Sequence, residues 1–158
     1  MTINTSQMNN WQETKSPALK VPDTLTSDHD PVRKVLYSKE FCDSIVKDIE
    51  QFHPVRWLNR KKINSIPTKG DPTCDYLFAG HGSFPREFKE ALFKVAPVIE
   101  GYQCLEICIN RYDPGMYMPE HVDVDYYKYN MVVNLTEMGD GIEVKGNFIE
   151  DVAGMATI

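Results

Sequence analysis

What most constrains this chain is a change of texture at Gly101. Upstream, apolar residues recur at spacings of three and four. Downstream they come in short β-branched and aromatic runs, 104–112, 127–136, 141–150 and 153–158, punctuated by Pro-Gly, Gly-Asp-Gly and a lone Gly. A helix places residues three and four apart on one face, whereas a strand alternates faces at every residue, so the two textures are not interchangeable. Helices followed by strands at roughly ten-residue spacing predict an α+β fold, a sandwich or barrel with helices packed on one sheet.

Ser38 has the character of an N-cap, and Phe41, Ile45, Val46, Ile49 and Phe52 behind it predict a helix over 39–52. Phe84, Phe88, Leu92 and Val95, with Pro85 in the first turn, predict a second over 85–96. Residues 32–36 suit a short strand, and the main run of strands is expected from about 104. Residues 1–30 mix polar residues and proline without a period and predict a polar arm, mobile or lying along the core. Residues 31–158 then form one domain, as the length of 158 suggests. Residues 54–83 read as mostly irregular. Their basic patch, Arg56, Arg60, Lys61 and Lys62, reads as a solvated loop.

Seventeen Lys and Arg against 23 Asp and Glu give a net charge of −6, which argues against nucleic acid held on a basic face. No apolar run has membrane-spanning length, and the N-terminus lacks the pattern of a secretory signal. A cytoplasmic protein with no membrane partner is expected. Cys42, Cys74, Cys104 and Cys108 form no C-x-x-C pair and are expected to be buried, reduced thiols, with Cys104 and Cys108 on one face of a strand.

Chemistry concentrates in the segment 110–123, Asn-Arg-Tyr-Asp-Pro-Gly-Met-Tyr-Met-Pro-Glu-His-Val-Asp. In an extended chain, residues two apart point the same way, so His121 and Asp123 would converge on one point. A neutral nitrogen beside an anionic oxygen suits a borderline divalent metal and leaves coordination positions open. By itself an H-x-D triplet is more often a pair of surface polar residues.

In its context the segment resembles the iron(II)- and 2-oxoglutarate-dependent oxygenases, in particular the prolyl 4-hydroxylase-like branch. The matching residues are Asn110, Tyr112, Gly115, His121, Asp123, Asn134, Leu135, Gly139, Gly141 and Glu143, in the family's order and spacing. The resemblance implies a double-stranded β-helix, jelly-roll-like and cupin-type. It makes His121 and Asp123 two of the three ligands to Fe(II). It gives Tyr112 a hydrogen bond to the co-substrate 2-oxoglutarate, and names ascorbate as a further candidate cofactor. The activity implied is hydroxylation of a C–H bond, with a prolyl residue of a peptide or protein as the best substrate guess, and with release of succinate and CO2.

The sequence departs from the family in two respects. No second metal-binding His follows the strands, and no basic residue follows it to hold the far carboxylate of 2-oxoglutarate. His29, His53 and His81 all lie upstream. The C-terminal strands of the fold are therefore expected to be missing from these 158 residues, leaving an open sheet edge that favours self-association. Two alternatives stay open: a non-catalytic binding module derived from the fold, and a cupin-like metal protein without 2-oxoglutarate. Tyr126, Tyr127 and Tyr129 line an entrance or, as favoured, form the aromatic face of a strand.

Overall fold

A computed structural model of the chain describes residues 18–19, 31–60, 75–118 and 127–158. In chain order the elements are β1 (Ala18–Leu19), β2 (Arg33–Val35), α1 (Lys39–Glu50), β3 (Leu58–Asn59), β4 (Leu77–Gly80) and α2 (Arg86–Val95). They continue as β5 (Val98–Ile99), β6 (Cys108–Arg111), β7 (Val132–Val133), β8 (Gly141–Val144), β9 (Asn147–Glu150) and β10 (Met155–Thr157). Single 3-10 turns occupy Pro54–Arg56 and His81–Ser83.

Both helices form where the spacing places them. Ser38 is extended, and its hydroxyl oxygen accepts from the Phe41 backbone N–H at 3.2 Å, satisfying one of the orphan donors at the start of α1. Cys42, Ile45, Asp48 and Ile49 are the buried residues of α1, while Lys39 and Asp43 pair across one exposed turn at 2.9 Å. Pro85 precedes α2, whose buried residues are Phe88, Ala91 and Val95, and Pro97 stands just beyond its end.

Four sheets are described, antiparallel except for the β1–β5 pair. The order β3-β4-β6 sets Asn59 opposite Leu77 and Leu77 opposite Arg111; one residue along, Leu58, Phe78 and Asn110 align. The order β2-β10-β7 sets Ala156 between Lys34 and Val133. Strands β8 and β9 make a hairpin whose two turn residues, Lys145 (φ 51°) and Gly146 (φ 78°), both take the left-handed conformation that matches strand twist. Among the described residues the sheets do not close on one another. The protein is α+β, with two α-helices among the described residues.

The main core joins Ile45, Ile49 and Phe52 to Phe84, Phe88, Ala91 and Val95, and both groups to Ala79 of β4 and Ile109 of β6. Phe88 is met edge-on by Phe52 (4.9 Å, 84°) and by Phe84 (5.3 Å, 88°). Both helices therefore lie on one face of the β3-β4-β6 sheet, as expected.

Strands do not wait until residue 104. Two of the three strands of that sheet come from the stretch read as irregular, and the arm contributes β1, whose backbone pairs with β5. Cys104 lies in the connection ahead of β6, not on a strand with Cys108. Here the ladder starts only where Cys108 meets Gly80, because the 3-10 turn beginning at His81 carries the neighbouring chain away. No described helix is long and apolar enough to cross a membrane.

Candidate functional site

The two faces of the β3-β4-β6 sheet differ in character. Asn59, Leu77, Ala79, Ile109 and Arg111 alternate onto the helix side. Leu58, Phe78, Gly80, Cys108 and Asn110 alternate onto the other. Just past β3 the Arg60 N–H donates to the Tyr76 carbonyl at 3.0 Å. Next to Phe78 and Asn110 in register, Tyr76 and Tyr112 lie on the side away from the helices.

On that side the Tyr76 and Tyr112 rings stack at 5.6 Å with 27° between planes. Tyr76 is buried and Tyr112 is 45% exposed. The Arg60 guanidinium carbon stands 4.2 Å over the centre of the Phe78 ring. Its Nε is buried without a hydrogen-bond partner. Tyr112, the expected co-substrate contact, thus lies on a half-open aromatic face, stacked on Tyr76.

His121 and Asp123 lie outside the described residues, in 119–126. The chain on either side is anchored. Just before that stretch, Tyr117 and Asp75 exchange both backbone hydrogen bonds, at 2.9 and 3.1 Å. After it, the Tyr127 hydroxyl donates to the Glu106 carboxylate, and Tyr129 joins the small cluster of Ile99, Leu36, Met131 and Ile158. Tyr129 is thereby a packing residue, and Tyr126 lies outside the described residues. Among the described residues no group of three His, Cys, Asp or Glu could hold a metal ion.

The remaining motif residues have structural work. The Asn134 side chain donates to Asp151, while its backbone carbonyl accepts from Gly154 at 2.8 Å, fastening the end of β7 to the turn before β10. Burial raises the Asp151 carboxyl above its ordinary value, and the Asn134 hydrogen bond opposes the rise. Leu135 packs against the main core. Gly115 and Gly139 take positive φ, 85° and 78°, and Glu143 is exposed on β8. At Gly141 a β-carbon would overlap the Ile149 carbonyl and the Phe148 ring, so the hairpin needs glycine there.

His81 is held structurally. Its Nδ1 accepts from Ile107 at 3.4 Å, and its ring meets Phe93 edge-on at 5.4 Å. The basic patch divides: Arg56 donates to the Ser83 carbonyl at 2.5 Å, Arg60 lies over the Phe78 ring, and Lys61 and Lys62 lie outside the described residues. A cavity of about 340 Å³ opens between the end of α1 and the helix side of the sheet, lined by Glu50, Phe52, Trp57, Asn59, Leu77 and Arg111. It sits across the sheet from Tyr112. Arg111 there is spoken for by Asp113 at 3.0 Å.

The cysteines differ from one another. Cys42 is buried, and burial pushes its thiol up to about 11. Cys104 is part-buried and also raised, whereas Cys108 is exposed, against expectation, because it faces away from the helices on β6. Cys74 lies outside the described residues. Burial likewise holds the Tyr37 hydroxyl well above its ordinary range, and it donates to the Val95 carbonyl at 2.6 Å.

No family model, curated protein or solved structure matches the chain.

Proposed function

We propose that the chain is an iron(II)- and 2-oxoglutarate-dependent oxygenase of the prolyl 4-hydroxylase-like kind, built on a double-stranded β-helix. His121 and Asp123 would hold the metal and Tyr112 would contact the co-substrate. The observation that carries this reading is the placement of Tyr112. Both helices cover one face of the β3-β4-β6 sheet, and Tyr112 stands on the other, stacked on Tyr76. A barrel built on this sheet would have its interior on that uncovered face. His121 is four positions on from Tyr117, which is fixed beside Asp75, a chain reach of at most about 14 Å.

The iron, when bound, supplies the activation of O2 that a protein side chain cannot. This chain's residues would position it, orient the keto acid beside Tyr112 and bring a target carbon near. A peptidyl proline is the proposed substrate, by likeness of family. Free thiols at the three described cysteines suit a cytoplasmic setting, and an open sheet edge suits self-association.

The test is to add Fe(II) and 2-oxoglutarate to the protein without oxygen. A weak visible charge-transfer band, followed by succinate release on admitting O2, supports the proposal. Absence of the band, with His121→Ala indistinguishable from wild type in every assay but stability, supports the binding module.

A further inference from the structure

The β3-β4-β6 sheet outruns the helices that cover it. On the helix side, Ala79 and the Ile109 opposite it are buried in the main core. The next row on that side, Asn59, Leu77 and Arg111, lines the cavity instead. Helix α1 stops at Glu50, and Pro54, which cannot continue a helix, opens the 3-10 turn that leads to Trp57. The Trp57 ring stands 6.1 Å from that of Phe52, tilted by 40°, and both line the space left beyond the end of α1.

Two opposite charges line this cavity without meeting. Glu50 is exposed at the last turn of α1, where the helix dipole has its negative end. Arg111 stands on β6, and among the described residues no ion pair joins the two. Asp113 takes the Nε of Arg111 at 3.0 Å, which steadies the guanidinium and leaves over its two terminal nitrogens, a fork able to grip a carboxylate. A ligand of one charge would be drawn to one wall and repelled by the other. A ligand that carries both charges a short distance apart is drawn to both. The rest of the lining, Ile49, Phe52, Pro54, Trp57 and Leu77, is apolar and suits an apolar body. At about 340 Å³ the cavity lies at the small end of the range for small-molecule pockets, about 300–1,000 Å³, which suits a single amino acid.

We propose that this cavity binds a free α-amino acid with an apolar side chain. Its carboxylate is held by Arg111, its ammonium by Glu50, and its side chain lies against Trp57 and Leu77. The site is on the helix side of the sheet, across from Tyr112, and is independent of the oxygenase reading.

The test uses the full chain with Trp11→Phe, which makes Trp57 its single tryptophan. Its emission is followed during titration with phenylalanine, 3-phenylpropionate, phenethylamine and N-acetylphenylalanine amide. Phenylpropionate lacks the ammonium, phenethylamine lacks the carboxylate, and the blocked amide lacks both charges. Saturable binding of phenylalanine is expected, with each of the other three weaker by roughly tenfold or more. Glu50→Gln is expected to weaken phenylalanine and not phenylpropionate. Arg111→Gln is expected to weaken phenylalanine and not phenethylamine. This crossed pattern pairs each wall with one end of the ligand, which a general loosening of the fold would not do. Three results each overturn the proposal. One is no saturable change with phenylalanine. A second is binding of the blocked amide as tight as that of phenylalanine, which assigns the cavity to an apolar side chain of a peptide. The third is unaltered phenylalanine binding in Glu50→Gln and Arg111→Gln, both folded as judged by thermal unfolding.

Discussion

Gly154 is pressed against the backbone of Tyr37. It sits at φ 81°, and a β-carbon built on it would overlap the Tyr37 carbonyl oxygen. The approach is close because the Gly154 carbonyl accepts from the N–H of both Leu36 and Tyr37, at 2.8 and 3.3 Å, while its own N–H donates to Asn134. One residue therefore ties β2, β7 and β10 together.

Gly154→Ala meets both a strained φ and a steric block, and is expected to cost roughly 3 kcal/mol. Urea unfolding measures it. A loss within a few tenths of a kcal/mol would contradict the three-way junction.

Asp48 is 1% exposed and its Oδ2 has no partner. Burial raises its pKa above the ordinary carboxyl value. The sign follows from linkage: between the unfolded value of about 3.9 and the higher folded value, the native state holds a proton that the unfolded state has released. Stability from this group therefore falls as pH rises through that window. Asp48→Asn removes the titration. Relative to wild type it is expected to gain on the order of 1 kcal/mol between pH 4 and pH 7, measured by urea unfolding at both values; a gap independent of pH would refute the assignment.

Thiol chemistry separates Cys42 from Cys108. With its pKa pushed to about 11, only about a thousandth of Cys42 is thiolate at pH 8, and burial hides that fraction. Iodoacetamide followed by peptide mass spectrometry is expected to label Cys108 first and Cys42 only after denaturation. Early labelling of Cys42 in folded protein would contradict the packing of α1.

The helices were legible because Phe41, Ile45, Ile49 and Phe52 repeat at helical spacing behind an N-cap, a signal contained within one short window. Strands β3 and β4 were not. Leu58–Asn59 and Leu77–Gly80 are too short to show alternation, and what makes them strands is their pairing with each other and of β4 with β6, more than 25 residues further along the chain. The same pairing brings Arg60, read as part of a solvated loop, over the Phe78 ring. Sequence placed Tyr112 in a motif, yet did not reveal Tyr76 as its stacking neighbour. Cys108 was read as buried because its run is apolar; its exposure depends on which face the helices cover.

The proposed oxygenase requires His121 and Asp123 to act as a metal pair. Mn(II) binding to the full chain, followed by electron paramagnetic resonance of the free ion, tests this most directly. Saturable binding weakened roughly tenfold or more by His121→Ala and by Asp123→Ala, with both variants unfolding like wild type, is the predicted result. Equal affinity in wild type and both variants would contradict it.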